Sequence, residues 1–100
     1  MIYEYPTLIQ YDKNDEVYYV DFPDVPGCFT DGRSLQEAIE NADDALNLML
    51  TFREEQGETI APPSDKNSFE LKPGEIVAMI TADTEAYAKM YPPKKNKIAL

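Results

Sequence analysis

Three aspartates, Asp21, Asp24 and Asp31, lie around one Pro/Gly bend in "YVDFPDVPGCFTDGRSLQEAIENA", residues 19–42. Carboxylates on adjacent strands could hold magnesium for phosphoryl hydrolysis, because hard cations take oxygen ligands. The same acids also suit a solvated turn or a surface that receives a basic partner. Their spacing decides nothing for metal: Asp24 sits between two prolines and Asp31 precedes Gly32, both ordinary turn chemistry. Other reactive chemistry is scarce. The chain has no histidine and one cysteine, Cys28. This removes Ser-His-Asp and Cys-His catalysis, an intrachain disulfide, and a zinc site of nitrogen and sulfur ligands. Cys28 reads as a small core residue with no neighbouring base, and neither metal nor cofactor is expected.

The elements that must position these residues follow from pattern. Ile2–Tyr11 is rich in aromatic and β-branched residues and predicts a strand, with Pro6 favouring an edge or a bulge. "DKND", residues 12–15, turns the chain into a second strand through Val17, Tyr19 and Asp21, making a hairpin with a four-residue loop. Phe22 and Val25 each precede a proline and are held extended. Pro26-Gly27 suits the centre of a type II turn. Cys28–Asp31 then predicts a third strand. Ser34 followed by Glu37 is a capping box that starts a helix. Leu35, Ala38, Ile39, Ala42, Ala45, Leu46, Met49 and Phe52 recur at helical spacing and predict the sheet-facing stripe, with Asn47 on the opposite side and Gly57 as the stop. "EIVAMIT", residues 75–81, is apolar enough to predict a strand in the sheet centre. Asp83 or Thr84 caps a short helix that Pro92-Pro93 ends.

Length and charge bound the rest. One hundred residues with 43% hydrophobic side chains make one small core and no second domain. Net charge is −10, but Lys94, Lys95 and Lys97 follow every acid, which leaves residues 1–91 with six bases against 19 acids, a balance of −13. Such a body repels nucleic acid phosphates and attracts cationic surfaces. No stretch reaches the roughly 18 apolar residues of a membrane span. The N-terminus lacks the basic start and apolar run of a signal peptide, so a cytoplasmic location is expected.

Residues 18–46, "YYVDFPDVPGCFTDGRSLQEAIENADDAL", resemble the N-terminal domain of HicB-type antitoxins. The pattern is an aromatic strand, D-x-P-D-x-P-G, a short strand, a glycine, then a helix with L-x-E-A and a following N-A. Tyr19, Asp21, Pro23, Asp24, Pro26, Gly27, Thr30, Gly32, Leu35, Glu37, Ala38, Asn41, Ala42 and Ala45 fit it, and looser similarity covers about residues 1–91. The resemblance implies a partial RNase H-like α+β fold. Its small, mostly antiparallel sheet has three N-terminal strands and one later strand, with one main helix and a short C-terminal helix. It implies no catalysis. It implies an antitoxin that neutralises a small basic HicA-type ribonuclease by covering its active surface. Apart from the resemblance, exposed Pro6-containing edge strands lead to the expectation of a homo-oligomer, a dimer or higher. Asp21, Asp24 and Asp31, with Phe22 and Phe29 as exposed aromatic anchors, are the expected toxin contacts. Pro23, Pro26, Gly27, Gly32, Ser34 and Glu37 are the structural motif. Family members usually add a C-terminal DNA-binding domain that represses their own operon. Residues 92–100 accordingly read as a basic linker leading into such a part, and DNA contact is expected only through residues missing from this chain. The rival readings are a metal-dependent nuclease using Asp21 and Asp31, and a generic oligomerising module.

Overall fold

In the computed structural model the main helix lies against only one face of a fully antiparallel four-stranded sheet of order β3-β2-β1-β4. The structure describes residues 1–91, so the linker read from residues 92–100 lies outside the described residues. The strands are β1 (Ile2–Asp12), β2 (Val17–Asp21), β3 (Phe29–Gly32) and β4 (Glu75–Asp83). Helix α1 (Leu35–Glu55) follows β3, and α2 (Thr84–Met90) follows β4.

Local chemistry sets each boundary. Asp12 accepts from the amides of Asn14 and Asp15 at 2.8 and 3.0 Å, which forms the four-residue hairpin loop. The Pro26-Gly27 turn closes through Cys28 N–H to the Val25 carbonyl at 3.0 Å, with Gly27 at φ 84°, the left-handed value a type II turn requires. Cys28 is buried just ahead of β3, which begins one residue later than its sequence suggests. Ser34 caps α1 by accepting from Glu37 N–H at 3.0 Å. Glu37 reaches back to the amide of Arg33 at 2.8 Å, one residue before the cap. The helix ends in a Schellman motif: Glu58 N–H reaches the Arg53 carbonyl and Gly57 N–H the Glu54 carbonyl. Asp83 caps α2 through Ala86 N–H at 3.0 Å.

The core lies between α1 and the inward positions of the strands. Tyr5, Ile9, Val20, Ile80 and Ala82 meet Ala38, Ala42, Leu46 and Leu50, and Phe22, Val25 and Cys28 close one end. Full burial of each large side chain contributes about 1.5 to 3 kcal/mol. The inward ridge of α1 is therefore the i, i+4 row through Ala38, Ala42, Leu46 and Leu50. Leu35, Ile39 and Phe52, expected on that stripe, are exposed. Asn47, expected on the solvent side, is buried and accepts from the amide of Asp83 at 3.0 Å. Two contacts explain the rotated phase. Gly32 lets α1 approach β3 closely, so small alanines face the sheet, and α2 packs on the Asn47 side of the helix.

Two strand placements also differ from expectation. β4 is an edge strand: Met79 on it is exposed on the face that carries no helix, and Ile76 is exposed at the strand's start although it pairs with Ile9 on the helix side. β1 is an inner strand in the sheet order, and Pro6, on a stretch paired on one side only, is buried, so it is not the exposed edge expected to pair between subunits. Pro6 is tolerated because β2 pairs with β1 only from Leu8 to Asp12, and the stretch carrying Pro6 pairs with β4 alone.

At Gly32 an added Cβ would stand 2.3 Å from the backbone nitrogen of Ala38 and 2.6 Å from its Cα. Backbone cannot yield as a flexible side chain does. Gly32→Ala is expected to cost about 3 kcal/mol and to lower Tm by about 10 °C or more, read by calorimetry. An unchanged melt would show that α1 does not need this close approach.

Candidate functional site

Strand register gives the uncovered face of the sheet its character. Side chains alternate between faces, so the pairs Leu8 with Asp21, Gln10 with Tyr19, Tyr19 with Asp31, and Asp21 with Phe29 put Asp21, Phe29, Asp31 and Tyr19 on one side. That side is opposite the core, whose members Tyr5, Ile9, Val20 and Ile80 occupy the other parity. The pairs Glu4 with Thr81, Gln10 with Glu75, and Ile2 with Asp83 extend the assignment across β1 and β4. All six carboxylates carried by the strands, Glu4, Asp12, Asp21, Asp31, Glu75 and Asp83, thus share the outer face. None of the four strands contains a lysine or arginine. Tyr19, Phe29 and Met79 supply exposed apolar area on the same face, with Phe29 70% exposed.

The three aspartates around the bend are not brought to one point. Asp21 and Asp31 flank Phe29 and Tyr19 on the outer face. Asp24 is half-buried and turns to the loop after α1, accepting from Ser64 N–H at 2.8 Å and from Ser64 Oγ at 2.6 Å. Among the described residues no three Asp, Glu or Cys side chains are placed to hold one metal ion. Phe22 corrects an expectation. It is 1% exposed and belongs to the core, because the bend folds its ring inward and ties its amide to the Cys28 carbonyl at 3.2 Å. Phe29 is the aromatic that stays outside.

The structural motif residues hold the bend in shape. Arg53, near the end of α1, donates to the carbonyl of Pro26, and Tyr5 donates from the core to the carbonyl of Ala61. With the Asp24 to Ser64 bonds, these contacts strap the bend and residues 61–64 to the body. Burial pushes the Cys28 thiol up to about 11, and nearby Asp21 adds to the rise while Arg53 opposes it. A thiol held this high stays protonated and unreactive at neutral pH. Tyr19 donates to Asp15 at 2.5 Å, and chiefly that bond holds its phenol up at about 12. Sequence reading missed Tyr19, Glu4 and Met79 as parts of this face. Alternation in β1 and β2 was the available signal, but only register shows which strand positions meet.

The family model for the HicB-like antitoxin of bacterial toxin-antitoxin systems matches residues 5–98. This chain belongs to that family. Solved structures agree with its fold. A chain of a toxin-antitoxin complex from Streptococcus pneumoniae is 25% identical, with a TM-score of 0.81 over 95% of this chain and 78% of that one. The N-terminal domain of Burkholderia pseudomallei antitoxin HicB is 28% identical, with a TM-score of 0.69 over 80% of this chain and 98% of that one. A chain of a HicA3 and HicB3 toxin-antitoxin complex is 27% identical, with a TM-score of 0.64 over 83% and 99%. Among curated proteins, a Haemophilus phage HP1 protein of 14.9 kDa is 44% identical over 46 residues, which is 46% of this chain and 33% of the phage protein. Among the described residues no helix is long and apolar enough to cross a membrane.

Two outcomes follow for the HicB-like antitoxin. Asp15→Asn should return the Tyr19 phenol from about 12 toward 10, read as tyrosinate absorbance in an alkaline titration. An unmoved titration would mean that Asp15 does not set the ring's proton affinity. Asp24→Ala removes both acceptors of Ser64, and at this solvated site about 1 kcal/mol should be lost. Exchange of the Ser64 amide should speed up at least tenfold. Unchanged exchange would show that the strap is held elsewhere.

Proposed function

We propose that this antitoxin neutralises a small, basic, RNA-cleaving toxin of the HicA type by covering its cationic surface with the outer sheet face. The observation that supports this best is the segregation of charge, with six strand carboxylates and no strand base on the one sheet face that α1 leaves uncovered. A face of this kind accelerates encounter with a cationic protein and occupies the surface that would otherwise take RNA. The mode is occlusion, with no bond made or broken by the antitoxin. Similarity to chains of toxin-antitoxin complexes, one of them named for HicA3, supports the class of partner. Asp21 and Asp31 are the steering acids in this reading, Phe29 and Tyr19 are apolar contacts beside them, and Asp24 holds the bend. Repression of its own operon belongs to the same proposal and would be carried by a DNA-binding part outside residues 1–91, since the acidic face repels phosphate.

Reversal of the outer charges tests the proposal. Asp21→Lys with Asp31→Lys should slow association with the toxin about tenfold at low salt and flatten its salt dependence, while the melting temperature stays within about 2 °C. Stopped-flow mixing with a catalytically silenced toxin reads the rate. An unchanged association rate in a folded double variant would place the toxin on another surface.

A further inference from the structure

A second surface runs around the β3 edge from the outer face. Between the Pro26–Phe29 bend and α1 lies an open groove of about 490 Å³, and the side chains that line it, including Phe29, Leu48, Met49 and Phe52, are all apolar. Phe29 belongs to both the groove and the outer face. Leu48 is 56% exposed and Phe52 52% exposed, although each is large and apolar. Neither lies on the Ala38–Leu50 ridge, so packing of the core does not account for them. Scattered exposed leucines mean little, but three large apolar side chains joined in one concavity mark a contact surface.

The groove is built before anything enters it. Three backbone hydrogen bonds close the bend: Val25 N–H to Phe22, Cys28 N–H to Val25, and Phe22 N–H to Cys28, at 3.0, 3.0 and 3.2 Å. Arg53 locks that bend to α1 through the Pro26 carbonyl. Beside Gly27 the space is open, since a Cβ added there would meet nothing within 4 Å. A rigid concavity loses little entropy when it is filled.

Charge selects the occupant. Asp21 is the cross-strand partner of Phe29, and Asp31 lies two residues further along the same face of β3. Arg53, the base that reaches this bend, is already committed to the Pro26 carbonyl. A second copy of this body, at −13, would set acids against acids. A cationic protein with a projecting apolar side chain meets both requirements.

We propose that this groove is the anchor pocket of the toxin interface, in which an apolar side chain of the basic toxin seats among Phe29, Leu48, Met49 and Phe52 while cations beside it meet Asp21 and Asp31. The inference rests on the antitoxin reading and adds a division of labour to it. The acids govern arrival, and the groove governs residence.

The test uses the whole chain and a HicA-type toxin, catalytically silenced and immobilised for surface plasmon resonance at low and high salt. Leu48→Ser and Phe52→Ser alter exposed positions and should melt as the parent does. Each should dissociate about tenfold faster or more, with an association rate within about twofold of the parent. Asp21→Lys with Asp31→Lys should show the opposite split. Parent-like dissociation of both serine variants, with tight binding by the parent chain, overturns the groove and leaves the antitoxin reading standing. Absence of binding by the parent chain at either salt overturns both. Conversion of a dimer to a monomer by Leu48→Ser in sedimentation, without faster toxin release, overturns the proposal in favour of a self-interface.

Discussion

The contact between Gly32 and the first turns of α1 sets the phase of the whole helix. A glycine at the end of β3 lets the backbone of Ala38 come down onto the strand, at a separation no side chain there would permit. Small residues must then face the sheet, and the ridge Ala38, Ala42, Leu46, Leu50 does so. Everything else on the helix rotates with that choice. Asn47 turns toward β4 and α2, where it receives the Asp83 amide. Leu48 and Phe52 turn toward the bend and stay partly in solvent. The apolar groove is in this sense a consequence of close packing on the other side of the same helix.

Sheet register does for charge what Gly32 does for the helix. A period of two means that one slip would carry Asp21 and Asp31 into the core and Val20 out of it, a costly exchange of buried aliphatic for buried carboxylate. The register that buries Tyr5, Ile9, Val20 and Ile80 therefore also expels the six strand acids to one side. Their mutual repulsion is tolerable because that face is solvated and screened. Asp12, Glu75 and Asp83 accept backbone amides at turns and a cap, whereas Asp21 and Asp31 hold no such bond, which makes those two the acids whose presence function best explains.

Local signals in the chain were strong where the physics is local. Asp12, Pro26-Gly27, Ser34 with Glu37, Gly57 and Asp83 act on backbone atoms a few residues away, and each forms the turn or cap its type requires. Signals failed where the answer depends on what lies across the fold. Phe22 and Phe29 flank the same bend with the same side chain, yet one is core and the other solvent, and only the inward turn of the bend separates them. The apolar run of β4 suggested a central strand, but β1 had only one open side left to offer it. Asp24 looked equivalent to Asp21 until Ser64, 40 residues later, claimed it.

A basic partner resolves a tension that the isolated domain carries. Its acids repel one another, and three large apolar side chains near them face water, so each feature alone leaves free energy unrealised. In the proposed complex, a cationic surface with an apolar projection would relieve both in one contact, neutralising Asp21 and Asp31 while burying Phe29, Leu48 and Phe52. Neither feature suffices separately. Charge without the groove would favour any polycation, including many irrelevant ones, because Coulomb attraction carries little shape information. An apolar groove without the charge would admit other apolar segments, including those of a second copy. In the proposed complex, specificity would arise from requiring both at fixed separation, and the hydrogen-bonded bend that joins β2 to β3 sets that separation.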